Sequence, residues 1–117
     1  MKEDRRAKRI QVPLMVAYRP VNSTEWRQVT QGQSLSLTGV SFQLAEAIPV
    51  GTEITIRVGV VGDQKEVTAT GKVVWVRPAQ VRGQHPFIAG LEFTQIDPEA
   101  ARLLLEAAYQ YWHEVLR

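Results

Sequence analysis

Ile10-Gln11-Val12-Pro13-Leu14-Met15-Val16-Ala17-Tyr18-Arg19 alternates apolar side chains at even positions with more polar or smaller ones at odd positions. A period of two predicts a β-strand with one face turned inward. Pro13 has no N–H for a ladder, so the strand is expected either at a sheet edge or with a bulge there. Pro20-Val21-Asn22-Ser23-Thr24 follows as a turn. A second strand is expected over 25–37, with Gly32 as its irregularity. Beyond the hydroxyl-rich stretch 34–39, Val40-Ser41-Phe42-Gln43-Leu44 alternates again. Leu35 and Leu37 read as pointing to one side of that stretch, away from its serines. Pro49-Val50-Gly51 is a turn, and Ile54, Ile56, Val58 and Val60 mark one face of a further strand. Gly62-Asp63 fits a two-residue hairpin, and other registers also fit the surrounding sequence. Val67, Ala69, Gly71, Val73 and Trp75 then share one phase, and after the polar loop 78–86 a last strand runs from Phe87 to Phe93.

At Asp97 the period changes. Asp97 suits an N-cap and Pro98 the first helical position. Ala101, Leu104, Leu105, Ala108, Trp112 and Val115 recur at helical spacing, predicting a helix over 98–116. Five or six short strands and one terminal helix imply a mainly β protein, a small antiparallel barrel with a helix packed on it. Residues 10–117 form this single domain.

Ahead of the first strand stands Arg5-Arg6-Ala7-Lys8-Arg9. Residues 1–9 carry five basic and two acidic side chains, a net +3, whereas the 117-residue chain as a whole carries only +2. The positive charge therefore belongs to one arm, expected to be flexible, and the rest is close to neutral. A net charge so small argues against a general nucleic-acid binder. Hydrophobic residues at 44% and charged residues at 22% are ordinary for a soluble domain. No apolar run approaches the roughly 18 residues of a membrane span, and a cytoplasmic location is expected. There is no cysteine, which excludes disulfides, thiolate metal sites and cysteine nucleophiles.

Catalysis finds little support. His85 and His113 are the only histidines, and neither has a partner at metal-ligand spacing. No nucleophile elbow, phosphate loop or dinucleotide fingerprint is present. The chain reads as a binding module rather than an enzyme, with no metal and no resident cofactor. Among the tryptophans, Trp112 falls on the helical stripe. Trp75 reads as core or rim, with support of a flat ligand as the alternative. Trp26 suggests no function.

Two motifs give the arm its meaning. Arg5-x-x-x-Arg9 before the first strand, then Ser34-x-Ser36-x-x-Gly39, resembles the two-part signature of PilZ domains, RxxxR followed by [D/N]xSxxG. Gly71-Lys72-Val73-Val74-Trp75 and Gly90-Leu91-Glu92-Phe93 extend the resemblance over the later strands. It implies a six-stranded antiparallel barrel and, for many members, binding of the bacterial second messenger cyclic di-GMP. The ligand-binding residues it implies are Arg5, Arg9, Ser34, Ser36 and Gly39, with Arg6 and Trp75 as possible additions. Arg5 and Arg9 would bond phosphate or guanine edges and stack on the bases. Ser36 would offer its hydroxyl to a phosphate, and Gly39 would let the backbone approach the ligand. Ser34 departs from the family's Asp or Asn, and its shorter reach toward guanine N–H groups implies weaker binding. Asp4, just before Arg5, favours one bound nucleotide over an intercalated pair.

Three readings follow. The first is a cyclic di-GMP receptor whose arm orders on binding and signals to a downstream protein partner. The second is a PilZ-like adaptor that binds no nucleotide, and the third a small barrel for single-stranded nucleic acid. The third needs aromatic and basic residues interleaved on an outer face, whereas Phe42 and Phe93 follow inward phases.

Overall fold

The alternation starting at Ile10 is realised as strand β1, Ile10–Pro20. The computed structural model describes residues 10–63, 65–79 and 86–115. The arm 1–9 and the loop residues Arg82, Gly83 and His85 lie outside the described residues. After β1 come β2 (Arg27–Leu35), β3 (Gly39–Leu44), β4 (Glu53–Val60), β5 (Val67–Pro78), β6 (Phe87–Gln95) and the helix α1 (Pro98–Val115). Every strand pair is antiparallel, and the order β1-β2-β3-β6-β5-β4 closes because β4 pairs back onto β1. The ring is a six-stranded barrel carrying one C-terminal helix.

Its interior is the set of inward phases read above. Leu14, Phe42, Leu44, Ile54 and Ile56 are fully buried, and Val16, Val40, Val58, Val73 and Leu91 join them. Side chains of this size are worth about 1.5–3 kcal/mol each when fully buried. α1 packs on β1, β4 and β5 through buried Ala101, Leu104 and Ala108, with Leu105 and Tyr111 partly buried beside them. The Ala101 N–H donates to the Asp97 carbonyl at 3.0 Å, starting the helix where the Asp-Pro pair predicts. The side chains of Trp112 and Val115 lie outside the described residues, as does position 116.

Several local expectations change. β1 is no edge: Pro13 falls at a register shift against β2, and its carbonyl accepts from the Val61 N–H at 3.1 Å. The bulge alternative holds because barrel closure leaves no free edge. The register also shifts at Gly32, where a Cβ would lie 2.7 Å from the Leu14 Cβ. Gly62 (φ +91°) does not make a two-residue hairpin. It sits in a turn closed by the Asp63 N–H to the Val60 carbonyl at 3.0 Å, within a longer connection that reaches β5 only at Val67. Leu35 is buried but Leu37 is 52% exposed, because the chain reverses between them.

One end of the barrel is closed by a polar contact. The Tyr18 hydroxyl donates to Glu46 Oε2 at 2.7 Å, and Arg27 pairs with the same oxygen. Burial, then the bond to Glu46, pushes the Tyr18 phenol up to about 12. The hydrogen bond from Tyr18, helped by Arg27, lowers the Glu46 carboxyl below its usual range. A raised phenol contributes stability that is complete below its ordinary value near 10 and lost as pH rises through about 12. Urea denaturation at a series of alkaline pH values should therefore show stability falling over that window. Tyr18→Phe should flatten the fall while costing about 1 kcal/mol near neutrality for the lost hydrogen bond.

Candidate functional site

The bend between β2 and β3 is organised by Ser36. Its side chain is 3% exposed, and its hydroxyl accepts from the N–H groups of Thr38 (3.1 Å) and Gly39 (3.2 Å). The Ser36 N–H in turn donates to the Gly39 carbonyl at 2.9 Å. The hydroxyl thus acts as a main-chain carbonyl does in a tight turn, and two otherwise orphaned donors are satisfied. Its remaining neighbours are Thr38 Oγ1 at 3.2 Å and the Gly39 carbonyl at 3.5 Å. Leu37 and Thr38 form the exposed tip.

Gly39 is explained by close approach to its own fold. Its φ is not in the positive region, but a Cβ there would overlap the Leu91 carbonyl oxygen of β6. The tight seam continues with the Phe93 N–H donating to the Thr38 carbonyl at 2.8 Å. The neighbour this motif glycine makes room for in the structure is a paired strand.

Pairing across the barrel brings distant residues into one row. Gln11 faces Ser34, Ser34 faces Ser41, Ser41 faces Gly90, and Gly90 faces Trp75. Opposed residues in antiparallel strands share a face, and the neighbours of these residues fill the interior, so the row lies on the outer surface. The Ser34 and Ser41 hydroxyls are 2.9 Å apart. No carboxylate interrupts the row. At its far end the Trp75 indole lies over Gly90, where a Cβ would overlap Nε1, and the Arg77 guanidinium carbon sits 4.6 Å from the ring centroid.

Trp75 reaches this face through a bulge. Val73 pairs with Leu91 but Trp75 with Gly90, so Val74 is an extra residue in β5. The inward phase passes from Val73 to Val76, which packs against the core, and Trp75 turns outward, half-buried. Its expected place in the phase of Val67 and Val73 is corrected by that single residue.

Of the residues singled out in the sequence, Ser34, Ser36, Gly39 and Trp75 belong to one end of this outer face. Arg5, Arg6 and Arg9 lie outside the described residues. The ladder nevertheless fixes where their segment joins: Ile10 is opposite Leu35, the residue before Ser36. The sequence reading missed Ser41 and Arg77. Arg77 could have been found two residues after Trp75 on the same strand face, whereas Ser41 becomes relevant only once β2 and β3 are paired.

A sequence model described as the PilZ domain matches residues 3–110. Among curated proteins no match was found. Among solved structures, the inhibitor of motility MotI/DgrA of Bacillus subtilis superposes with a TM-score of 0.78 at 15% identity, covering 99% of this chain and 55% of that one. The chain thus spans about half the length of that protein. The PilZ domain of Escherichia coli YcgR, solved with c-di-GMP, gives 0.72 at 18% identity, covering 96% and 94%. The PilZ domain of CeSA from a cellulose-synthesizing bacterium gives 0.59 at 14%, covering 91% and 99%. At these identities the likeness is one of fold.

Proposed function

Since this chain belongs to the PilZ domain family, we propose that it is a cyclic di-GMP receptor domain, with Arg5 and Arg9 closing over a nucleotide seated on the outer row. The observation that carries this is the pairing of Ile10 with Leu35. It joins the segment bearing both motif arginines directly beside the serine bend. Had β1 begun at the other end of the barrel, no closure over that bend would be available.

Each part of the row has a use for such a ligand. Two guanines offer flat faces and hydrogen-bonding edges, and two phosphodiesters offer anionic oxygens. Guanidinium groups bind such oxygens bidentately and stack on bases. Ser34 and Ser41 supply hydroxyls, and the Trp75 ring, backed by Arg77, supplies a flat platform beside them. Ser36 and Gly39 serve chiefly by shaping the bend. Arg6 is adjacent to the motif and is assigned an assisting role. Binding would order the arm, and an order-disorder change is a common way for a ligand to signal onward.

Titration calorimetry with cyclic di-GMP tests the proposal. A Kd of about 1 µM or tighter is expected, and heats no larger than those of GMP would overturn it. The adaptor reading draws on Ser34, which stands where the family carries Asp or Asn. Ser34→Asp should tighten binding about tenfold by adding an acceptor for guanine N–H groups. Weaker binding by that variant would refute the role given to position 34. The single-stranded nucleic-acid reading loses Phe42, which is fully buried, and Phe93, which packs against the core, and is left with Trp26 and Trp75 as outward aromatics of the barrel.

A further inference from the structure

Trp26 belongs neither to the core cluster nor to the outer row. The Arg57 guanidinium carbon lies 4.2 Å from the centroid of its ring and that of Arg19 lies 5.1 Å away. The two arginines come from β4 and β1 and bracket one indole on the outer face. Ala17, paired with Arg57, adds no bulk between them. Cation–π attraction holds each guanidinium at the ring, but it leaves two like charges converging there.

Of the other described arginines, Arg27 pairs with Glu46 and Arg102 with Glu99 and Glu106, whereas Arg77 lies over Trp75. Among the described residues neither Arg19 nor Arg57 forms an ion pair. Arg19 donates to the Ser23 carbonyl at 3.0 Å, and Arg57 Nε is buried with no hydrogen-bond partner. A buried guanidinium N–H left unpaired costs free energy, and no carboxylate offsets the charge it belongs to. Met15, 55% exposed and paired with Gly59, lies on the same face one outward position along from the Ala17–Arg57 pair. Tryptophan, arginine and methionine together are the residues enriched in protein interfaces. A free phosphate would need only the guanidiniums.

We infer that Arg19, Trp26 and Arg57, flanked by Met15, form a docking surface for an acidic segment of a partner protein. It is set apart from the nucleotide row, at the other end of β1, and stands whether or not nucleotide binds.

The nucleotide-free chain, labelled with nitrogen-15, would be titrated with a peptide of about twelve residues alternating Glu and Leu. Inorganic phosphate and the matching Lys-Leu peptide would be run alongside. The Trp26 indole N–H, assigned with Trp26→Phe, and the Arg57 Nε–H are expected to shift with the acidic peptide. The double variant Arg19→Gln, Arg57→Gln should bind it about tenfold more weakly or worse, loss of two charge-assisted contacts being worth at least that. Met15→Glu, at an exposed position where folding is not at risk, should weaken it severalfold. The inference is overturned if those resonances stay unmoved at millimolar peptide, if the Lys-Leu peptide moves them equally, or if phosphate alone matches the acidic peptide. The last result would mark a small-anion site. None of these outcomes bears on cyclic di-GMP binding, which the calorimetry above decides separately.

Discussion

Arg9→Ala is expected to abolish cyclic di-GMP binding in titration calorimetry, shifting a micromolar Kd beyond the millimolar range. Arg9 precedes Ile10 in the chain, and Ile10 pairs with Leu35 beside the bend. On the proposed reading the Arg9 guanidinium bonds a phosphate held on the outer row. Truncating one partner of a desolvated, charge-assisted pair costs about 2–5 kcal/mol, and about 4 kcal/mol is three orders of magnitude in affinity. Arg5→Ala should weaken binding strongly but by less. Arg5 stands four residues farther from the Ile10 anchor, and holding a residue in one conformation costs roughly 1–2 kcal/mol, so its net share is smaller. Arg9→Lys should restore only part of the affinity, since an ammonium keeps the charge and loses the bidentate fork. Wild-type affinity in Arg9→Ala would refute closure by the arm.

Gly39→Ala is expected to lower the urea midpoint, with a loss of about 1–3 kcal/mol or more. The added methyl meets the Leu91 carbonyl oxygen, a backbone atom of the paired strand that no rotamer change can move. The β3–β6 ladder must spread to admit it. Gly51→Ala is the control. Gly51 has φ +96° with nothing within 4 Å of a Cβ, so only backbone strain is added, at about 1–2 kcal/mol. If Gly39→Ala kept wild-type stability and lost only nucleotide binding, the glycine would instead be serving the ligand.

The inward faces were legible because hydrophobic period and burial coincide where a strand is regular. Ile54, Ile56, Val58 and Val60 were read as one face and are buried together. The helix start was legible because Asp97-Pro98 satisfies two independent local requirements. A barrel follows from the strand count, but which strands close it was not legible, since β1 pairing with β4 and β3 with β6 joins strands far apart in the chain. Val73-Val74-Trp75-Val76 is apolar at every position, so no period remained to betray the extra residue. For the same reason the site was half legible. The motif named Ser34, Ser36 and Gly39, but their association with Ser41, Gly90 and Trp75 exists only in the register. Arg5 and Arg9 rest on the motif and on where Ile10 is anchored.

Val74 makes the side on which an indole emerges depend on contour length rather than on chemistry. Absorbing that one valine into a regular ladder would leave every aromatic and every charge in the chain, yet hand Trp75 to the interior and push Val76 into water, whereas deleting it would keep both where they are. The side of the stacking platform is thus set by whether one residue is looped out of the pairing, which no comparison of residue types at fixed positions would register.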